Sequence, residues 1–345
     1  MSTGRPILEV ENLKRYFDQS TSILDTLLRR DRERIQAVDD VSFALHENES
    51  VGIIGESGCG KSTLLETLIG LQTPTDGRIR YRDQDLAEFD RSEWKQYRGD
   101  VQIIFQDPFN TLNPKMTIRE SLEEQLGIHD MGKEDERIHE ILREVELHPP
   151  EKYLDRVPDQ LSGGELQRVA IARALIVEPK ILLADEPVSM LDVSTQASVL
   201  TMLADLREKR DLSLIYISHD LSTVSHVCDT INVMYLGRIV ERSETRELLE
   251  NPKHPYSQAL IQAIPSHSLD HDRERTKIEG SPRDPIDIGE GCRFRDRCPE
   301  RMDVCEKTPH LIESEGHEVA CHLYYDHEEY EGGTDEVAQE MTGEV

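Results

Sequence analysis

Apolar residues fall into two rhythms along this chain. Over 7–13 and 38–45 they alternate with polar ones, the period of half-buried strands, and 77–81 is a further short strand of this kind. Over 51–54, 101–105, 181–184, 214–218 and 231–235 they form short, mostly apolar runs rich in β-branched residues, with helical stretches between most of them. Such runs are expected of strands buried on both faces, which predicts a largely parallel α/β sheet. From 117 to 147 the rhythm is helical, and Ile138, Ile141, Leu142 and Val145 fall on one face of a charged helix, so an all-helical insertion is expected within the α/β region. Residues 18–36 interrupt the first two strands with Ile23, Leu24, Leu27 and Leu28 at helical spacing, followed by Arg29 and Arg30. That segment reads as a small helix, packed on its own domain or resting against a membrane or a membrane subunit.

The run at 51–54 leads into GESGCGKST, and this is where chemistry enters. Gly55, Gly58 and Gly60 permit a tight turn with inward-pointing N–H groups, and the helix opening at Lys61 adds partial positive charge where a polyphosphate would sit. Lys61 would reach the β- and γ-phosphates and the Ser62 hydroxyl would ligate Mg²⁺. Glu56, Ser57, Cys59 and Thr63 complete the expected nucleotide-binding stretch.

Residues 181–187, ILLADEP, are an apolar strand ending in two carboxylates. Behind a phosphate loop, Asp185 is expected to hold Mg²⁺ through water and Glu186 to polarise the attacking water. LSGGELQR at 161–168 precedes a helix; Ser162 and Glu165 form a capping box, and the two glycines between them bare a helix N-terminus that makes a second anion site.

Charge and cysteine usage narrow the class. The net charge is -29, and the segment 326–345 holds eight acids with no Lys or Arg, so by bulk electrostatics nucleic acid is not expected as a partner. The remaining acid excess resembles that of proteins from salt-rich cytoplasm; a simply acidic protein with an acidic tail is the plainer reading. No N-terminal stretch resembles a signal peptide and no apolar run approaches the ~18 residues that span a bilayer, so a soluble, intracellular chain is expected. Cys292, Cys298, Cys305 and Cys321 crowd the C-terminal end at spacing C-x5-C-x6-C-x15-C. In a reducing cytosol they ask for a metal rather than disulfides; zinc, an iron–sulfur cubane, or reduced buried pairs are the readings left open.

LSGGE, the phosphate loop, the strand ending in Asp185 and Glu186, Gln106 in IIFQDP, SMLD at 189–192 and His219 in YISHD occur in the order found in ATP-binding cassette (ABC) proteins, and together they span residues 7–240. The resemblance implies a P-loop nucleotide-binding domain with an antiparallel β subdomain and a helical subdomain, binding ATP and Mg²⁺. It implies that Gln106 touches Mg²⁺ and the attacking water, that His219 bonds the γ-phosphate, and that Phe17, or Tyr16 in its place, stacks on adenine. Ser162, Gly163 and Gly164 would bind the γ-phosphate of ATP held by a second subunit, and Asp192 would link the two sites. With one phosphate loop and one LSGG stretch, the chain is half of a dimeric motor.

FQDPFNTLNPKMTI at 105–118 and NPKHPYSQALIQAIP at 251–265, with its His254-Pro255-Tyr256, resemble the ATPase subunits of oligopeptide and dipeptide importers, a group that includes nickel and oligosaccharide importers, and suit the second ATPase type of the pair. This implies a sister ATPase in a heterodimer, or a homodimer, docked at the cytoplasmic face of the membrane on two permease subunits and served by an extracellular solute-binding protein. It favours a [4Fe–4S] cluster, with zinc the alternative. A soluble ABC ATPase of translation or DNA repair is the competing class, and its usual second cassette or long coiled coil is not visible. A cluster-bearing redox sensor with a nucleotide switch is a third. The expected divisions are an ATP-binding domain over 1–264 with its helical part at 107–175, a linker at 265–276, a small Cys-containing domain at 277–325 and a disordered acidic tail at 326–345.

Overall fold

The computed structural model describes residues 5–18, 34–132, 135–263, 278, 280–281 and 283–325. Its strands run, in chain order, β1 (Leu8–Asp18), β2 (Arg34–Leu45), β3 (Ser50–Ile54), β4 (Asp76–Tyr81), β5 (Gln84–Asp85), β6 (Val101–Ile104), β7 (Ile181–Asp185), β8 (Ser213–Ser218), β9 (Thr230–Tyr235), β10 (Arg238–Glu244), β11 (Ile312–Ser314) and β12 (His317–Val319). They form two sheets, one ordered β2-β1-β4-β5 and one ordered β11-β12-β10-β9-β3-β8-β7-β6.

The larger sheet carries the short, mostly apolar runs. Pairings β9–β3, β3–β8, β8–β7 and β7–β6 are parallel, and β10, β12 and β11 add an antiparallel flank that the sequence reading did not contain. Both faces are covered, which is why the runs do not alternate: Leu182, Ala184, Leu214 and Tyr216 enter one core, while Ile181, Leu183, Ile215 and Ile217 enter the other. The smaller sheet is antiparallel throughout, as its alternating pattern requires. The helical insertion includes Ile118–Ile128 and Asp135–Glu144, and Ile138, Ile141, Leu142 and Val145 are all buried in the first of these cores.

The stretch at 18–36 is shorter as an interruption than the sequence suggests. Strands β1 and β2 continue into it through the pairs Tyr16↔Gln36, Phe17↔Ile35 and Asp18↔Arg34, so residues 18 and 34–36 are strand. Cross-strand pairing decides these positions, which the sequence reading assigns to the insertion. The expected helix at Ile23, Leu24, Leu27 and Leu28, the linker at 265–276 and the tail at 326–345 lie outside the described residues.

The Cys-containing extension has no sheet of its own among the described residues. Its β12 pairs with β10, and β11 with β12. Ile286 bridges to Ile35 of β2, and Gln36 N donates to Pro285 O at 2.8 Å. Arg293 is buried, reaches Asp39 of β2 and donates to the Leu236 carbonyl and to Gln36 Oε1, the last at 2.7 Å. Burial pushes the Arg293 guanidinium down to about 10, opposed by the Asp39 charge. Burial also works against the Asp39 carboxylate, but the Tyr16 hydroxyl, Arg293 and Arg238 outweigh it and hold its pKa below the usual range. Removing one member of such a set leaves the other charge buried without its partner. Arg293→Ala should therefore lower the free energy of unfolding by about 3 kcal/mol. Urea denaturation measures it, and a change within about 0.5 kcal/mol, the range of a neutral surface substitution, would show that the pair contributes no net stability.

Candidate nucleotide site

Strand β3 runs into the glycine-rich loop and the loop into the helix Lys61–Leu68, whose N-cap is Gly60 with φ 106° and no side-chain capping bond. A capping side chain would occupy the space in front of the first turn; without one, its N–H groups face the cavity. Two glycines are required by their neighbours. A Cβ on Gly55 would lie 2.1 Å from Met234 O, and one on Gly60 1.9 Å from Ala37 O. Lys61 is buried and curls back over the loop, its Nζ donating to Gly55 O at 2.7 Å and Glu56 O at 3.0 Å.

The cavity in front of the loop measures about 760 Å³ and is lined by Gly55, Glu56, Ser57, Gly58, Gly60, Lys61, Ser62 and Thr63, with Phe17, Ile35, Ala37, Gln106, Glu186, His219, Leu260 and Pro285 around them. Cys59 turns away from it and is buried in the core beneath the smaller sheet. Asp185 ends β7 behind the loop, hydrogen-bonded by Ser62; burial raises its pKa, against the pull of that bond, and the neighbouring Glu186 charge adds to the rise. An oxygen-rich spot with two crowded carboxylates is one that a hard divalent cation relieves, so Ser62, Asp185 and Gln106 suit Mg²⁺ by donor chemistry.

Gln106, Glu186 and His219 converge although they are far apart in sequence. Glu186 Oε2 accepts from Gln106 Nε2 at 3.2 Å, and Oε1 lies 2.9 Å from His219 Nδ1. Glu186 takes a left-handed conformation at φ 44°, held by its N–H donating to Ile217 O at 2.9 Å. A non-glycine residue in that region costs roughly 1–2 kcal/mol, which the structure spends to aim the carboxylate across the strand ends.

Ser162, Gly163, Gly164 and Asp192 do not line this cavity. Ser162 caps the helix Gly163–Leu175, with Glu165 N donating to Ser162 Oγ at 3.3 Å and Ser162 N to Glu165 Oε2 at 2.9 Å. Asp192 caps the helix Val193–Arg210, and hydrogen bonds from Ser194 and Thr195 hold its carboxyl well below the usual range. The two helix starts touch: a Cβ on Gly164 would meet Thr195 Cγ2 at 2.6 Å, whereas one on Gly163 would meet only Leu191 Cδ2 at 3.6 Å. Gly164 is thus needed for packing within the chain, and Gly163 is not.

Phe17 lines the cavity, with the Arg15 guanidinium 4.4 Å from its ring centre, while Tyr16 does not and instead hydrogen-bonds Asp39. Leu260 and Pro285 on the cavity wall, and Tyr256 and Arg297 behind the loop, were not foreseen as site residues. His254 behaves as a cap: burial pushes it down to about 3, and its Nδ1 accepts from Tyr256 N at 3.0 Å. Beyond that turn chemistry, the Tyr256 hydroxyl accepts from Glu56 N at 2.9 Å, a contact across 200 positions that no local pattern carries.

The four C-terminal cysteines are all free, and each thiol has others of the four among its electrostatic neighbours. Burial raises Cys298, pushes Cys292 up to about 11 and Cys321 up to about 12. Among the described residues, however, no three His, Cys, Asp or Glu side chains are grouped as metal ligands. The expected [4Fe–4S] cluster, or zinc, on Cys292, Cys298, Cys305 and Cys321 therefore finds no support in this geometry, in which burial favours the neutral thiols of Cys292, Cys298 and Cys321.

Comparison with known proteins agrees with the site. The family model described as "ABC transporter" matches residues 38–189, and that of the "Oligopeptide/dipeptide transporter, C-terminal region" matches 240–305. The oligopeptide transport ATP-binding protein AppF of Bacillus subtilis is 42% identical over 92% of this chain and 97% of its own length. The oligopeptide transport ATP-binding protein OppF of Salmonella typhimurium is 42% identical over 91% of this chain and 95% of its own. Among solved structures, the dimeric ATP-binding cassette MJ0796 in a post-hydrolysis state with ADP and Pi superposes with a TM-score of 0.59 at 27% identity, covering 69% of this chain and 99% of that one. On the strength of its relatives over nearly its whole length, the chain belongs to the ABC transporter ATPases, in the group of oligopeptide and dipeptide transport ATP-binding proteins.

Proposed function

We propose that this chain is the ATP-hydrolysing subunit of a membrane ABC importer that takes up oligopeptides or dipeptides. The observation that carries the chemistry is Glu186, held between Gln106 and His219 at the edge of a cavity floored by a bare helix N-terminus. In this reading the loop amides and Lys61 hold the β- and γ-phosphates, and Phe17 stacks on the base. Bound Mg²⁺, held by Ser62, Asp185 and Gln106, supplies neutralisation of the polyphosphate charge. Glu186 polarises the water, and His219 bonds the γ-phosphate.

The motor is a dimer. Ser162, Gly163 and Gly164 lie outside the chain's own cavity, which suits a second subunit's nucleotide, with Asp192 between the two sites. A sister ATPase in a heterodimer, two permease subunits and an extracellular solute-binding protein complete the assembly. Among the described residues no helix is long and apolar enough to cross a membrane, which suits a peripheral subunit at the cytoplasmic face. The sequence spacing of Cys292, Cys298, Cys305 and Cys321 extends the reading to a [4Fe–4S] cluster, with zinc as alternative, stapling an extension that has few large apolar side chains. An ATP-binding region at 1–264, a linker at 265–276 and an extension at 277–325 remain the working division.

Glu186→Gln should retain ATP binding, lower turnover by about 10²–10⁴-fold and let the ATP-bound dimer accumulate, as steady-state hydrolysis and sedimentation measure. Near-normal hydrolysis in protein free of wild-type partner would remove Glu186 from the role. Gly163→Asp is tolerated by the chain's own packing but sets a carboxylate where a partner's γ-phosphate would lie. ATPase should collapse while the chain's own nucleotide binding survives; full activity from a strictly monomeric protein defeats the pairing. Protein isolated without oxygen should contain iron and sulfide in equal amounts, and zinc alone would keep the staple but replace the cluster. Metal-free protein with an equally protected extension would sink both.

A further inference from the structure

The residue after the first loop glycine is an acid. Glu56 lines the cavity, so the loop that receives a polyphosphate carries a carboxylate of the same sign. At short range and away from bulk water such a charge opposes the ligand. The opposition is cancelled from far along the chain. Arg297 Nη1 and Nη2 reach Glu56 Oε2 and Oε1 at 3.0 Å and 3.1 Å, a two-pronged pair with the Arg297 side chain 11% exposed and that of Glu56 27%. Arg297 is itself fixed: Nη1 also donates to Tyr235 Oη at 3.2 Å, and its N–H donates to Phe294 O at 3.0 Å within the turn between Cys292 and Cys298. The main chain of Glu56 is held as well, by the Tyr256 hydroxyl.

We infer that Arg297 is a positioning residue for nucleotide binding, pairing with Glu56 so that the phosphate loop does not present a free carboxylate to the incoming polyphosphate. The inference rests on the reading of this cavity as the ATP site. It makes the cysteine-bearing turn part of that site, through a residue that never touches the nucleotide.

The test uses the full chain with its partner subunits and reads ATP hydrolysis and MgATP affinity together. Arg297→Gln should raise KM for ATP roughly ten- to a hundredfold while kcat at saturation stays within about twofold, because the loss is one of binding and not of chemistry. The loss should shrink as salt is raised, since the repulsion it releases is screened. Glu56→Gln, which removes the charge and the pair together, should weaken binding less than Arg297→Gln. Adding Glu56→Gln to Arg297→Gln should restore most of the lost affinity. Should Arg297→Gln fail to fold, Arg297→Lys carries the test, since it keeps the charge, loses the fork and should raise KM by about two- to threefold.

An unchanged KM in the folded Arg297 variant overturns the inference. So does a double variant as weak as Arg297→Gln, because the arginine would then act by packing alone. Wild-type protein that binds no MgATP would instead overturn the reading of the cavity, and this inference with it.

Discussion

A helix N-terminus left without a side-chain cap is the constraint on which the rest of this structure depends. The first-turn N–H groups of Lys61–Leu68 must find acceptors, and Gly60 supplies no side chain to do so. A polyphosphate satisfies those groups and the helix dipole together. To expose them, the loop must lie flush against the adjoining backbone, and Ala37 O and Met234 O press on Gly60 and Gly55 so closely that no Cβ fits. The left-handed φ of Gly60 and the buried Lys61 are parts of one arrangement.

Parallel pairing then brings the chemistry to the same place. Strands β3, β6, β7 and β8 run the same way, so their C-terminal ends share one edge of the sheet. The loop follows β3, Gln106 follows β6, Asp185 ends β7 with Glu186 next after it, and His219 follows β8. An open parallel sheet places its ligand outside that edge for a geometric reason: successive strands deliver their last residues side by side, while the crossover helices cover the faces. The contacts among Gln106, Glu186 and His219 are the direct result.

This explains what was legible in the sequence. A strand-end residue announces itself by a run of buried positions followed by a polar one, so Asp185 and Glu186 could be found without any contact being known, while Gln106 and His219 were placed by the family resemblance. The Ser162 cap was legible too, because capping is local, whereas the cap that Asp192 makes is a finding of the structure. What local pattern does not contain is pairing across sequence. Residues 18 and 34–36 looked like parts of an insertion and became strand because each has a partner on the opposite strand. Leu260, Pro285, Tyr256 and Arg297 were missed for the same reason: a proline, an arginine or a tyrosine in the C-terminal part carries no mark of the loop it will meet.

The four cysteines show the converse. Their spacing is a local pattern that suggests a ligand set, yet among the described residues no three of them are grouped as metal ligands, because nearness in sequence is a weaker condition than ligation. Thiolate ligation requires deprotonated sulfurs in a fixed geometry, while burial without a cation drives the thiols of Cys292 and Cys321 toward their neutral form. The same short turn that carries two of the cysteines meanwhile commits its other side chains elsewhere. Arg293 enters the Asp39 network, Phe294 packs against Tyr235 and Tyr256, and Arg297 pairs with Glu56. Three anchoring contacts lead from the cysteine pair to the smaller sheet, to the core beneath the phosphate loop, and to the loop itself. Whatever state the thiols adopt, the turn can shift only by disturbing contacts on which the nucleotide cavity is built.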